Sequence, residues 1–526
     1  MKLYAISLLG IMILGNGCKT KNSVTLDEGI NMKKVEGTTF NQDFFFGVAT
    51  APAHVENNLD DIWLDFAKTK RQDNKWNVKS WHDAPQPEIR LNFWSKPEVE
   101  IELAKELGVS VFRLGIDWGR LVPNKPGTKL CGRTKDRLCD GSISNLDAVQ
   151  RYQEIIQMVK DRGMKVMLTL YHHSMPKWLS NDGGWTNENA LKYFQVFSQD
   201  AGAFFNKQVD YWVIFNEPAV FATLSHGAGV WPPGGGMNWS NITLAFTTGT
   251  GAIIKAMDQM IAAHNVVYSD LKKITNAPVG IAHNIGYHTA SDIIARYIRK
   301  KTIDIMNYRF IDKTKDHIDF LGLNYYGEER IQATSVGIAD DLEYSESGRA
   351  VNPNGLYRLL KDFHQRYNID AETKSSKAPV PIIITENGIS DDTDIIRPAY
   401  LIEHLMAISE AQKEGVPIFG YVLWTLSDNW EWSDGYCPKF GIIEVNRKTQ
   451  ELKRTRRPSF YLYQEIASSR TITKNLRIRA LNTVHRAHKA SVDRYMCRLQ
   501  DGTDTVELAK DAWPRKIRPM NWMFQK

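Results

Sequence analysis

The sequence predicts an α/β protein: a single (β/α)8 barrel, or TIM barrel, carrying a C-terminal extension. Short apolar, β-branched runs recur eight times, each followed by a polar or helical stretch. The runs are almost continuously apolar, as expected of parallel strands buried on both faces. Eight is also the number of strands that closes such a sheet on itself. The rival is a doubly wound open sheet, which usually shows a Gly-rich phosphate loop after its first strand. Here that position reads ATAPAHVE (49–56).

In chain order the predicted strands are FFFGVAT (44–50), VSVFRLGI (109–116), KVMLTLYH (165–172), YWVIFNEP (211–218), VGIAHNI (279–285), IDFLGLNYY (318–326), PIIITENG (381–388) and FGYVLWTLSDNWEW (419–432). Helical periodicity falls between them, in residues 97–108, 147–163 and 398–415. The barrel is expected over residues 43–466 and a basic extension over 467–526. Residues 19–42 read as a linker.

Residues 1–18 combine one lysine with about a dozen mostly apolar residues, too short a run to span a bilayer comfortably. They fit an export signal. Cys18 closes the run as the lipidated cysteine of a bacterial lipoprotein signal would. The expected location is therefore exported and anchored at a membrane through Cys18, or otherwise secreted or membrane-associated. Of the five cysteines, Cys131 and Cys139 bracket a polar loop and could pair in an oxidising compartment, while Cys437 and Cys497 read as free or buried.

Hydrophobic residues at 43% supply ample core, and a net charge of +6 is modest for 526 residues. Much of that charge lies in KRTRR (453–457) and in Arg470, Lys474, Arg477, Arg479, Arg486 and Lys489. No aromatic residues interleave with these bases, so no nucleic-acid partner is expected. A solvated surface is the plainer reading, adhesion to anionic lipid the sharper one. No CxxC or His/Cys cluster points to a metal, and no cofactor is expected. The acidic run SDDTD (390–394) reads as a solvated loop rather than a cation site.

Chemistry in such barrels sits at the C-terminal ends of the strands. Polar residues fall there repeatedly: His54, Arg113, His172, Asn216 with Glu217, His283 with Asn284, Asn324 with Tyr326, Glu386 and Glu431. One polar strand end is usually just a chain turning to solvent, but eight sets imply a shared pocket. Glu217 in IFNEP and Glu386 in ITENG end the fourth and seventh strands, whose mouths can face each other across the barrel. Two carboxyls about 5 Å apart, one ionised and one protonated, are what retaining glycoside hydrolysis requires. Glu386 stays ionised if Arg113 lies beside it and Tyr326 donates a hydrogen bond. His283 is expected to line the acceptor side. Trp is abundant, 15 residues against 21 Phe, which suits sugar stacking as well as a large core. Trp63, Trp81 and Trp94 read as core or loop anchors.

The motifs TENG and FNEP, with FRLGIDWGRLVP, TLYHHSMP, GLNYYG and LWTLSDNWEWSDGY, resemble glycoside hydrolase family 1, the β-glucosidase family, from about Phe44 to Tyr463. The resemblance implies a nucleophile at Glu386 and an acid/base at Glu217. It also implies that Asn216 binds the sugar 2-hydroxyl and His172 the 3-hydroxyl. Trp424, Glu431 and Trp432 would form the floor and far wall of the sugar site, and Asn324 would join the substrate-binding set.

The chain departs from the common family pattern where His54 replaces a sugar-binding Gln, and where His173 and Ser174 replace Trp and Asp. His54 and His173 each read equally well as sugar ligands or as packing. These departures resemble the branch formed by plant freezing-tolerance galactosyltransferases, which move galactose between galactolipids. The implied activity is a retaining β-glycosidase that passes β-galactosyl groups between glycolipids at a membrane surface. The alternatives are hydrolysis of soluble β-glucosides or β-galactosides, and a silent sugar-binding receptor. The intact glutamate pair argues against the last.

Overall fold

The computed structural model describes residues 35–71, 74–127, 139–332, 336–337, 341–369, 379–449, 451–494, 496–497 and 516–525. Eight parallel strands close into a barrel. They are β1 (Phe45–Ala49), β2 (Val111–Gly115), β3 (Lys165–Tyr171), β4 (Tyr211–Asn216), β5 (Val279–Asn284), β6 (Phe320–Tyr325), β7 (Ile382–Asn387) and β8 (Ile418–Leu423). Each predicted run supplies one strand. The last run is over-long, because β8 stops at Leu423 and residues 424–432 form a rim loop instead.

Helices α1 (Pro97–Leu107), α2 (Leu146–Asp161), α3 (Ala190–Phe205), α4 (Ala252–Leu271), α5 (Arg309–Thr314), α6 (Pro353–Tyr367), α7 (Arg397–Lys413) and α8 (Pro458–Ser469) follow the strands in turn. Their ends are written locally. Pro97 opens α1, where its missing N–H costs nothing, and Gly108 closes it at φ 78°. Asn145 caps α2 by accepting from the Ala148 N–H at 3.2 Å.

Ala49, Val111, Met167, Val213, Ala282, Phe320, Ile383 and Val422 fill the barrel interior. A larger apolar layer separates the strands from the helices. Both strands that carry the predicted glutamates lose regular register just before their polar ends. The irregularity falls between Val213 and Asn216 in β4, and between Ile384 and Glu386 in β7. Such bulges re-aim side chains at the rims of barrels.

Several regions read as loosely attached are integral to the fold. Residues 35–42 were expected to be linker, yet Val35 and Phe40 are buried and Thr38–Thr39 pairs with Thr471–Ile472. In the extension, helix α9 (Lys474–Lys489) docks through a buried bidentate pair, Arg477 to Glu403 of α7, with both contacts at 2.8 Å. Phe524 returns to the same carboxylate through its N–H at 2.9 Å.

KRTRR is a solvated basic patch only in part, with Lys453 exposed and Arg456 half-exposed while Arg457 is buried. Arg454 pairs with Glu100, Arg456 with Glu106 and Arg457 with Asp428. SDDTD is not a free solvated loop, since only Asp392 and Thr393 are exposed. Asp391 accepts the Ile396 and Arg397 N–H groups at 2.8 and 3.0 Å, and Asp394 accepts from Ser459, so the run caps α7 from within.

Cys437 and Cys497, expected to be unpaired, form a disulfide with Cα atoms 5.5 Å apart. A separation of 60 positions gives no spacing signature; the fold alone brings them together. Cys139 is also disulfide-bonded, while Cys131 lies outside the described residues. So do residues 1–34, with the export signal and Cys18. No described helix is long and apolar enough to cross a membrane.

Candidate active site

Arg113, at the third position of its five-residue strand β2, organises the barrel mouth. Its guanidinium is fully buried, and each nitrogen is used. Nε donates to Thr169 Oγ1 at 3.1 Å, and Nη1 donates to Glu386 Oε1 at 2.6 Å and to the Thr385 carbonyl at 3.1 Å. Nη2 donates to Asn216 Oδ1 at 2.7 Å. A planar fork bound this way holds position as well as charge. The other oxygen of Glu386 accepts from the Tyr326 hydroxyl at 2.6 Å.

Glu217 follows β4 in a left-handed conformation, φ 44°, at the start of a short helix, Pro218–Thr223. A non-glycine residue adopts that conformation at a cost of roughly 1–2 kcal/mol, so the surrounding contacts must hold it. Its N–H donates to the Ala282 carbonyl at 2.7 Å. Oε1 accepts from Asn284 Nδ2 at 3.1 Å and from Asn324 Nδ2 at 3.0 Å. Asn324 also donates to Asn216 Oδ1 at 3.1 Å and accepts from Thr385 at 2.7 Å. One continuous network, Glu386–Arg113–Asn216–Asn324–Glu217, therefore joins the two glutamates.

Burial raises the Glu386 carboxyl to about 7, with the nearby charge of Glu217 adding to the rise. Arg113 and the Tyr326 hydrogen bond pull the other way. Glu386 therefore exchanges its proton in the neutral range. Two carboxyls in such a network can offer an acid and a nucleophile at once.

Beside the glutamates lies an aromatic wall. Asn216 Nδ2 donates to His172 Nε2 at 2.8 Å, which makes that nitrogen an acceptor and puts the proton on Nδ1. Burial, with the adjoining histidines and the Arg113 charge opposing a further proton, holds His172 well below the ordinary histidine range, so it is neutral. Trp424 Nε1 donates to Glu431 Oε1 at 3.0 Å. His54 stands edge-on to Trp432 at 4.0 Å and to Trp424 at 4.8 Å, with Nδ1 on the Trp430 carbonyl. Burial lowers His54 to about 3. His173 stacks on Phe221 and sits edge-on to Trp432 at 5.1 Å, and neither ring nitrogen has a hydrogen-bond partner among the described residues. It packs behind the wall. Trp63 does the same, lying 4.5 Å from Trp432 and donating to the His173 carbonyl.

The mouth thus gathers His54, Arg113, His172, Asn216, Glu217, Asn324, Tyr326, Glu386, Trp424, Glu431 and Trp432. It does not include His283. That side chain points out of the barrel, where Nε2 donates to the Met306 and Asn307 carbonyls at 2.8 and 3.1 Å. Strand residues alternate between faces, and Ala282 faces inward, so Asn284 reaches the mouth in place of His283. Thr169 and Thr385 are site residues that sequence reasoning missed, and Asn284, named at its strand end, was passed over in favour of His283 as the side chain that lines the site. The alternation from the inward-facing Ala282 was the signal that could have chosen Asn284 over His283.

The sequence profile of "Glycosyl hydrolase family 1" matches residues 36–314 and 289–472. The chain is 38% identical to the chloroplastic galactolipid galactosyltransferase SFR2 of Arabidopsis thaliana, over 91% of this chain and 82% of that protein. It is 28% identical to β-glucosidase A of Thermotoga maritima, over 84% of this chain and 99% of the relative. Among solved structures, the family 1 β-glucosidase of Thermotoga maritima superposes with a TM-score of 0.69 at 26% identity, covering 82% of this chain and 99% of that one.

Proposed function

This chain belongs to glycosyl hydrolase family 1, and from that premise we propose that it is a retaining β-glycosidase whose glycosyl-enzyme passes β-galactosyl groups to glycolipid acceptors. The observation that carries this reading is the hydrogen-bonded network joining Glu217 and Glu386 through Arg113.

In the first step an ionised oxygen of Glu386 attacks the anomeric carbon while Glu217 gives its proton to the leaving oxygen. Once Glu217 carries that proton, the like-charge repulsion on Glu386 is gone, and Arg113 with Tyr326 favours its ionised form. Asn284 and Asn324 keep the Glu217 carboxyl aimed. In the second step Glu217 takes the proton of an incoming hydroxyl, which attacks the same carbon and releases Glu386. Two inversions give net retention. Asn216 and the Nδ1–H of His172 address the sugar hydroxyls; Trp424, Glu431 and Trp432 form the floor and far wall.

Water and a sugar hydroxyl compete for the same intermediate, so transfer needs the acceptor to be presented and water excluded. A membrane-facing mouth serves both needs. The segment linking β5 to α5 supports it: helix Ile293–Thr302 buries Ala295, Ile298 and Thr302 but exposes Ile293, Ile294 and Tyr297. Arg296, Lys300 and Lys301 flank that second apolar face. Apolar tips ringed by bases suit an anionic bilayer surface. The greater identity to the galactosyltransferase than to the β-glucosidase favours transfer over hydrolysis.

Incubation with monogalactosyl diacylglycerol tests the proposal. Oligogalactolipids are expected. Free galactose as the only product would leave a hydrolase and end the transferase reading.

A further inference from the structure

The C-terminal extension reaches the site from outside the barrel. Cys497 is joined to Cys437, which lies just beyond the rim loop, after Glu431 and Trp432 and before Phe440. The Cys497 N–H donates to the Glu346 carbonyl at 3.1 Å. Three residues earlier, Arg494 pairs with Glu343, and both side chains are completely buried. The Arg518 N–H donates to the second oxygen of Glu343 at 2.6 Å. Glu343 and Glu346 belong to the loop between β6 and α6. The Glu346 carboxyl ties that loop to its neighbours by accepting the Asp392 N–H at 2.6 Å and the Lys439 N–H at 3.3 Å.

Both loops fastened in this way end against one ring. The Arg349 guanidinium lies 5.5 Å from the centre of Tyr326, and the Phe440 ring meets it edge-on at 5.9 Å. The hydroxyl of that tyrosine is the group 2.6 Å from Glu386.

We propose that the extension is a positioning clamp: by holding the 343–349 and 437–440 segments through Arg494 and the Cys437–Cys497 bond, it keeps Tyr326 on Glu386. The inference rests on the reading of Glu386 as nucleophile. Glu386 also faces Arg113 from β2, Glu217 from the end of β4 and Glu431 from the β8 loop. Arg349 acts on Glu431 from further off. Of these only Glu431 lies close to Cys437 along the chain, and the Trp424 Nε1–H holds it independently at 3.0 Å. Loosening the clamp therefore acts on Glu386 mainly through the Tyr326 hydroxyl, a donor that favours the ionised carboxylate.

The test follows kcat/KM against pH with an aryl β-glycoside for Cys497→Ser, Arg494→Met and Tyr326→Phe, below the unfolding temperature of each. Arg494→Met leaves the disulfide in place, and reductant applied to the folded wild type covers the case of a serine variant that does not fold. The acid limb is expected to move upward by about half to one pH unit in all three variants, as loss of a hydrogen bond to a charged group requires. Cys497→Ser should add no further shift in the Tyr326→Phe background, because both act through one hydroxyl. A purely structural disulfide would lower the melting temperature and leave the acid limb in place, overturning the clamp. Additive shifts would overturn it too. A wild type with no turnover of any aryl β-glycoside would instead sink the functional reading, and the clamp with it.

Discussion

Arg113 Nη1 stands 2.6 Å from Glu386 Oε1, with both groups removed from solvent. The same guanidinium holds Asn216, one residue before Glu217. A single planar group therefore sets the spacing between one glutamate and the strand end that bears the other. Replacing Arg113 with Met should lower kcat/KM by about 10²–10³. It should also move the acid limb upward, because a cation that favours ionised Glu386 is lost. Arg113→Lys keeps the charge without the fork and should fall between. Wild-type activity in Arg113→Met would refute this organising role.

Glu217→Gln removes the proton donor. Glycosides with poor leaving groups should slow by about 10²–10⁴, while activated aryl glycosides, which leave unaided, slow far less in the first step. A matched series of leaving groups read by kcat/KM distinguishes this from general damage, which would slow all of them equally.

The same substitution also bears on pH. The charge of Glu217 raises Glu386, so a neutral Gln must lower it. Wild-type kcat/KM should rise with pH through about 7 as Glu386 ionises. In Glu217→Gln, with an activated substrate, that limb should shift to lower pH. An upward shift would contradict the assigned coupling.

Asn284 and His283 are neighbours with opposite expectations. Asn284→Ala should reduce kcat by about tenfold for poor leaving groups, with little loss of stability, because it frees a rim carboxyl. His283→Ala should cost about 2–4 kcal/mol in urea unfolding, since it opens a buried cavity and strands two carbonyls. Its kinetics should be nearly unchanged. The reverse pattern would mean that the strand faces are misassigned.

Ile293→Ser combined with Ile294→Ser and Tyr297→Ser should abolish co-sedimentation with vesicles containing phosphatidylglycerol. Hydrolysis of a soluble aryl glycoside should stay within about twofold, because the three side chains are exposed to solvent and belong to no contact of the two glutamates. Undiminished sedimentation would exclude this helix as the docking surface.

The strands, the fold class and the two glutamates were legible in the sequence because their signals are local. A buried parallel strand is an apolar run, and a carboxylate at its end stands out against the cost of burying it. TENG and FNEP are contiguous, so a linear reading suffices for them. Three other features became visible only in the folded chain. Which of His283 and Asn284 faces inward depends on strand phase, and a one-residue change reverses it. The register breaks in β4 and β7 depend on neighbouring strands. The partners of Arg477, Arg494 and Cys497 lie 60 to 151 residues away, and no local pattern encodes contacts formed by closure of the barrel and the return of its tail.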